Sequence, residues 1–279
     1  MKIKVLAENT ALCDRFGFEH GLSLYIETKK HRLLFDTGAS GLFAENAKKL
    51  GVDIAAVDTV ILSHGHYDHG GGLKTFLGQN DKAKIYVHKQ AFEPHFSDRP
   101  DKGKVYIGLD TALLPNERFV FCEGSVEIDD ELGLFSEVFE AVPSPSGNSR
   151  LFRKGGESFV TDDFSHEQNL IVRQNGQTAV IAGCAHRGIV NIVRQFAADN
   201  GQFPDIVIGG FHLHSRGTDE NEAPEAIERL ANELLKTGSM YYTCHCTGIQ
   251  PYERLKTLMG GKIDYISAGK ELDILGGNR

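Results

Sequence analysis

The order of apolar and polar positions predicts that strands and helices alternate along the chain. In the first quarter, short apolar runs end in turn residues, as β-strands do. The strands predicted there are residues 2–6, 22–27, 32–35 and 57–62. Between the last two, apolar residues at helical spacing predict a helix over residues 41–50, which Gly51 is suited to end.

A second half with the same order begins near Asn169. The strands predicted there are residues 170–173, 179–182, 206–208, 240–243 and 262–266. The helices predicted there are residues 189–198, 223–236 and about 251–259. Strands followed by helices in both halves predict two sheets in contact, with helices outside.

The middle of the chain has a different pattern. Its short β-like pieces are residues 85–87, 104–107, 119–122, 125–128 and 138–142. Clusters of Pro, Gly and Asp separate them, which indicates a meander with exposed loops. We therefore expect one domain over residues 1–279, with a variable, loop-rich insertion at about residues 90–160.

The composition is that of an ordinary globular protein, and it limits the classes of molecule that the chain is expected to bind. Of its 279 residues, 41% are hydrophobic and 24% are charged, and the net charge is −8. This acidic balance argues against nucleic-acid binding but leaves room for a local basic pocket that takes a small anion. No stretch approaches the roughly 18–20 apolar residues that span a bilayer, and the N-terminus resembles a strand more than a signal peptide. We expect a cytoplasmic protein that acts on a small molecule without a membrane or nucleic-acid partner; its oligomeric state is left open.

The five cysteines show no pairing pattern, because their number is odd and their spacing irregular. Reduced thiols are expected. The segment Cys244-His245-Cys246 has two interpretations that stay open. Its cysteines are metal ligands, or they are small apolar residues on either side of a functional histidine.

One short segment concentrates metal-binding chemistry. Residues 63–72, SHGHYDHGGG, follow the strand predicted at 57–62 and are expected to form a loop whose glycines permit close approach. Imidazoles and a carboxylate are the preferred ligands of zinc, and they also suit iron or manganese. Four ligands within six residues cannot all reach one ion without strain. The spacing predicts one or two divalent ions, with His64 and His66 on one and Asp68 and His69 on the other.

This segment resembles the signature of the metallo-β-lactamase fold superfamily. Five further segments resemble the branch named after a dihydropterin-ribofuranosyl-aminobenzene-phosphate synthase: EHGLS at 19–23, LLFDTG at 33–38, GCAHRGIVN at 183–191, GGFHL at 209–213 and HCTG at 245–248. The resemblance implies an α/β fold, an αββα sandwich of two mixed β-sheets flanked by helices. The metal would lie at one edge, between the sheets.

The resemblance also implies further ligands from the second half: a histidine, a bridging aspartate or cysteine, and a late histidine. The late histidine corresponds to His245. In the segment 183–186 either Cys184 or His186 is the ligand. We expect His186 to bind the metal and Cys184 to pack behind it or to support it. His212 is an alternative ligand or a substrate contact, and His166 is an alternative for the middle histidine, although residues 162–165 before it predict a flexible loop.

Several other residues are expected to support the site. Asp36, in a tight turn, is a candidate for orienting a ligand histidine. His20 is expected to support the loop under the metal, and Tyr67 to line the pocket. Arg187, next to His186, is a candidate for holding an anionic substrate group, with a solvated surface arginine as the alternative. The remaining histidines are expected to be surface or structural residues: His31, His88, His95 and His214.

These features predict a metal-dependent hydrolase that uses a metal-activated water on an ester, thioester or phosphoester of a small anionic metabolite. Asp68 would bind metal and also move the proton, and zinc is the favoured ion. The branch name implies an alternative, a synthase or transferase acting on a pterin-type phosphorylated substrate. A third hypothesis is a metal-binding redox or sensor protein without hydrolytic turnover.

The cysteine pattern generates a testable prediction. Thiol titration of freshly purified, denatured protein should find five free thiols, because an odd and irregular set does not form a disulfide framework. A lower count in an unoxidised sample would contradict the expectation of reduced cysteines.

Overall fold

The computed structural model of the chain describes residues 1–276 and contains two seven-stranded mixed sheets. In order across the first sheet, the strands are Glu271–Asp273, Lys2–Ala7, Ser23–Glu27, Arg32–Phe35, Thr59–Ile61, Lys84–His88 and Phe119–Cys122. In order across the second, they are Ile263–Tyr265, Met240–Thr243, Ile206–Gly209, Gln177–Ile181, Asn169–Gln174, Leu132–Phe135 and Ser125–Glu127. The last four strands of the first sheet run parallel to one another, as do the first four of the second.

Successive side chains of the central strands point to opposite faces of each sheet, and this alternation produces the four layers. Phe35 of the first sheet and Ile181 of the second lie in one buried cluster between the sheets. Their neighbours Leu34 and Val180 belong to separate clusters on the outer faces, where helices pack. The helices are Leu42–Lys49, Tyr67–Gly70, Leu73–Gln79, Ile189–Asn200, Pro224–Leu235 and Ile249–Met259. The predicted αββα sandwich is confirmed.

The insertion between the two halves contains a small sheet of its own. Its strands, in order, are Ser158–Thr161, Leu151–Gly155, His95–Arg99 and Gly103–Tyr106. A two-stranded ribbon, His214–Ser215 with Glu220–Asn221, lies in the second half. Five short 3₁₀ helices complete the elements: Ile54–Ala56, Thr111–Leu113, Ser146–Arg150, His245–Thr247 and Gly260–Lys262. The expectation of one domain over residues 1–279 stays a prediction, and residues 277–279 lie outside the described chain.

Two local predictions are wrong for identifiable reasons. Residues 138–142 do not form a strand, because the Asn191 side chain accepts the backbone N–H groups of Ala141 and Val142 and donates to the Val142 carbonyl. A side chain thus satisfies the groups that a sheet would use. Residues 63–72 are not entirely loop either, since they contain the short helix Tyr67–Gly70.

Two further features bear on the sequence expectations. All five cysteines are free thiols, and four of them are buried. No helix within residues 1–276 is long and apolar enough to cross a bilayer.

His31 joins the two sheets at the surface and generates a pH prediction. Its Nδ1 lies 3.1 Å from Asp58 Oδ1, next to the first sheet, and its Nε2 lies 2.9 Å from Asp129 Oδ2, next to the second. Burial lowers the pKa of His31, but its hydrogen bonds to Asp129 and Asp58 outweigh that and raise the pKa above the usual 6.5. The bridge therefore stabilises the fold fully below about pH 6.5, and this stabilisation is lost as pH rises through the raised pKa.

We expect the stability difference between the wild type and His31→Gln to shrink as pH rises from acidic to alkaline values. Denaturant unfolding across that range measures it, with metal content held constant. A difference that stays flat or grows with pH would contradict the bridge.

Candidate metal centre

The candidate site lies where the parallel strands of both sheets end. Their carboxyl ends meet at one edge, as in other α/β proteins, so the loops that follow them lie close together. The polar residues on these loops are Asp36, His64, His66, Asp68, His69, Cys184, His186, His212 and His245. Eight of the nine are buried; His212 is half-buried. The structure thus brings all the sequence-predicted ligands to one place.

The first ligand set is His64, His66 and His186, one nitrogen of each lying within 4.8 Å of the others. His64 Nε2 is 3.1 Å from His66 Nδ1. The loop can fold this tightly because Gly65 has no side chain. A Cβ there would lie 2.2 Å from the Ala91 carbonyl oxygen.

The second set surrounds the Asp68 carboxylate. Its Oδ2 lies 3.4 Å from His245 Nε2 and 3.9 Å from His69 Nε2. On its other side, the same oxygen is 3.1 Å from His20 Nε2. His20 thus contacts the candidate ligand Asp68 directly.

Cys184 lies among the candidate ligand atoms, and the expectation that it packs behind His186 or supports it stays a prediction. Its Sγ lies 3.1 Å from His69 Nε2. It also falls within 4.8 Å of candidate ligand atoms in three groups: with His64 and His69, with His186 and His212, and with His245 and Cys246. Because Ala185 adopts a left-handed backbone with φ of 54°, the segment is not extended, and both Cys184 and His186 reach the centre.

Four of the histidines have a fixed hydrogen-bond acceptor at Nδ1. The Nδ1–H of His69 donates to Asp36 Oδ2 at 2.6 Å. The Ser63 hydroxyl donates its hydrogen to Asp36, so its oxygen accepts the Nδ1–H of His64 at 2.8 Å. His245 meets Asn9 Oδ1 at 2.8 Å.

The fourth is His186, which meets Asn148 Oδ1 at 3.0 Å, while the amide of Asn148 donates to the His186 carbonyl. Each Nδ1 therefore carries the proton, and each Nε2 keeps a lone pair available to a metal.

Glu167 is a buried carboxylate that the sequence reasoning missed. It accepts the backbone N–H groups of His186 at 2.7 Å and Arg187 at 3.0 Å. Burial raises the pKa of Glu167 to about 7. Its two hydrogen bonds fix the backbone that presents His186. In the sequence, Glu167 is visible only as a polar residue next to His166, which does not indicate this role.

His166 and His95 belong to a neighbouring network. His166 Nδ1 accepts the Gly65 N–H at 2.9 Å, and its Nε2 is 3.3 Å from Asp162 Oδ2. His95 Nδ1 lies 2.8 Å from the same oxygen. Residues 162–165 form the predicted loop, in which Asp162 is buried between the two histidines, and the flexibility of this loop stays a prediction. With both nitrogens of His166 engaged, the network holds the backbone between His64 and His66.

Arg187 is not brought to the cleft, unlike the anion contact expected from the sequence. Its guanidinium donates to the backbone carbonyls of Asp163 and Val138. Although Arg187 follows His186 in the sequence, its side chain points away from the cleft. The cleft above the candidate ligand sets is lined by Tyr67, as expected, and by His20 and His212. Arg99, Arg150 and Arg216, which sequence reasoning missed, line it as well.

The donor set fits divalent metal ions. His66 Nε2, His186 Nε2 and His245 Nε2 are buried without a hydrogen-bond partner in residues 1–276. Leaving such atoms unpaired is costly, and coordination satisfies them. Although burial lowers the pKa of His69, the charges of Asp36 and Asp68 raise it to about 9, so the local field favours a cation.

The family model described as the metallo-beta-lactamase superfamily matches residues 16–185. A crystal structure described as a metal-dependent hydrolase of the beta-lactamase superfamily is 33% identical, with a TM-score of 0.83. The match covers 98% of this chain and 99% of that one.

Two curated relatives come from Methanocaldococcus jannaschii. One is a 7,8-dihydropterin-6-methyl-4-(beta-D-ribofuranosyl)-aminobenzene-5'-phosphate synthase, 27% identical over 97% of this chain and 95% of its own. The other is an uncharacterized protein, 29% identical over 92% of this chain and 94% of its own. Because the family model spans more than half of the sequence and the similar structure matches nearly all of it, this chain belongs to the metallo-beta-lactamase superfamily.

Proposed function

We propose that this protein is a metal-dependent hydrolase that uses a metal-activated water on an ester, thioester or phosphoester of a small anionic metabolite. One observation carries the proposal. Four buried histidines have Nδ1 held by a fixed acceptor, which leaves Nε2 free to bind an ion. The similar structure described as a metal-dependent hydrolase supports it.

The geometry supports two ion positions. His64, His66 and His186 would hold one ion, and Asp68, His69 and His245 a second, with the Cys184 sulfur between the two sets. Divalent ions bound there would lower the pKa of a water molecule and polarise the substrate oxygen. We favour zinc, because imidazole and thiolate donors select it over manganese.

Asp68 is the group proposed to move the proton. Asn9 Nδ2 lies 3.3 Å from His20 Nδ1, so the His20 proton is on Nε2 and is donated to Asp68 Oδ2. This bond orients the carboxylate. In residues 1–276 no hydrogen bond occupies Oδ1, which can take the proton released in the reaction while Oδ2 stays in place.

The cleft suits a small substrate. Its cavity volume is about 90 Å³, which restricts the part near the candidate ligands to a small molecule or to one group of a larger molecule. Tyr67, Ile107 and Leu151 pack together and supply apolar surface, and the His212 ring lies 4.3 Å from the ring of the candidate ligand His186, measured between centroids. The five free thiols support a cytoplasmic location, where thiols stay reduced.

A second candidate function is a transfer reaction on a pterin-type phosphorylated substrate. It is favoured by the synthase relative, which aligns along nearly the whole chain at 27% identity. The two candidates share the metal ligands and differ in the molecule that attacks.

A panel of chromogenic carboxylic esters, thioesters and phosphodiesters tests hydrolysis. Zinc-loaded protein should turn over at least one class, lose the activity on chelation and regain it with zinc. Absence of turnover for every class with zinc, iron and manganese would contradict the hydrolase and leave the transfer reaction.

We expect His66→Ala to lose at least one ion and to lower turnover by about a hundredfold or more, because the remaining ligands cannot complete the first set. Elemental analysis and the ester assay measure both effects. The control is His31→Gln, a histidine outside the site. Full metal occupancy in His66→Ala would contradict the assignment.

The central position of Cys184 generates a further prediction. Cys184→Ser should weaken zinc binding relative to manganese, because it removes the soft donor and keeps the size of the side chain. Competition between the two metals, measured in both proteins, gives the ratio. Cys122→Ser is the control, since Cys122 lies buried between the sheets away from the centre. An unchanged zinc-to-manganese ratio would place Cys184 outside the coordination sphere.

A further inference from the structure

We propose that Arg99, Arg150 and Arg216 form an anion subsite at the mouth of the cleft that binds the phosphate of a phosphomonoester. This inference rests on the proposed function, because it names the substrate class of the same cleft. The phosphate would be a recognition group, held apart from the bond that reacts at the metal ligands.

Three separate segments bring these arginines together. Arg99 ends a strand of the small sheet, Arg150 ends the 3₁₀ helix Ser146–Arg150, and Arg216 follows the ribbon strand His214–Ser215. All three line the cleft that also exposes His66, Asp68 and Cys184.

The segments that carry these arginines lie in contact with other parts of the cleft lining. A Cβ on Gly217 would lie 4.0 Å from Arg99 Cγ, so the loop after Arg216 lies against the Arg99 side chain. A Cβ on Gly147 would lie 3.3 Å from His212 Nε2, which places the turn bearing Arg150 over the centre.

The charge of this cluster is not neutralised within the described chain. No carboxylate in residues 1–276 lies within 4.0 Å of any of the three guanidinium groups, whereas Arg153, Arg173, Arg194 and Arg254 each have such a partner. Within residues 1–276, Arg99 Nε is buried without a hydrogen-bond partner. Asp98, an acid of the lining, is 3.7 Å from Lys104. Three unpaired cations in a cleft of a chain with net charge −8 indicate a site for an anion.

Arg216 connects this subsite with the metal ligands. Its Nη1 lies 3.4 Å from the hydroxyl of Tyr67, the residue between His66 and Asp68. A phosphate held by Arg216 would therefore lie beside the centre.

The number of arginines favours a phosphomonoester over a carboxylate. A guanidinium is a planar fork that binds two oxygens at once, and one or two such forks saturate a carboxylate. A phosphomonoester offers three terminal oxygens and close to two negative charges, which match three forks.

Calorimetric titration of the zinc-loaded full chain with glycerol 3-phosphate tests the subsite, with glycerol and glycerate as the uncharged and carboxylate probes. We expect the phosphate to bind at least about tenfold more tightly than glycerate, and glycerol not to bind. Arg99→Gln, Arg150→Gln and Arg216→Gln should each weaken phosphate binding by about tenfold, equivalent to about 1.4 kcal/mol. Arg173→Gln is the control, since Arg173 pairs with Glu127 on the edge of the second sheet.

The outcomes separate this inference from the hydrolase. Equal phosphate binding by the wild type and all three variants would overturn the subsite, because the metal ions or another surface would then hold the anion. No phosphate binding by the wild type, or glycerate binding as tightly, would overturn it as well. Arginine-dependent binding in a protein that hydrolyses no ester would uphold the subsite and contradict only the proposed reaction.

Discussion

The candidate metal centre depends on which ring nitrogen of four histidines carries the proton. Asp36, Ser63, Asn9 and Asn148 each offer an acceptor to the Nδ1 of one histidine, so each Nε2 keeps its lone pair inside a closely packed interior. A buried lone pair without a donor is costly, and several of them within a few ångströms leave a cation as the natural partner. The free energy gained by packing the sheets thus also assembles the metal ligands.

The two halves of the fold complete each other at this edge. The first half supplies His64, His66, Asp68 and His69, and the second supplies Cys184, His186 and His245. Residues near the N-terminus also position a ligand of the second half. Asn9 holds the side chain of His245, and Glu8 accepts the backbone N–H of His245 at 2.7 Å. Because the contacts join residues more than two hundred positions apart, the centre closes only when the sheets pack against each other. The insertion then adds Arg99 and Arg150, which define the mouth of the cleft.

Short-range patterns explain how much the sequence could predict. Strand and helix periods follow from burial on one face, and the segment 63–72 holds its ligands within a few residues, so the layers and the superfamily were accessible and are confirmed. Asn9, Asn148 and Glu167 were missed because they are single polar residues in loops or in a short 3₁₀ helix, and their role exists only through contacts distant in sequence. The position of Cys184 among the candidate ligand atoms depends on the left-handed turn at Ala185, which does not follow from residue type. The direction of the Arg187 side chain does not follow from its place next to His186 in the sequence, so the choice between its two alternatives needed the structure.

We propose that this buried cluster is a metal centre with imidazole and thiolate donors. Metal-edge X-ray absorption of the full chain, purified without chelator and analysed for elemental content, tests this assignment. We expect one or two ions per chain, with imidazole nitrogens at about 2.0–2.1 Å and a sulfur at about 2.3 Å if the ion is zinc. A chain that takes up no stoichiometric metal, or an ion surrounded by oxygen atoms alone, would contradict it.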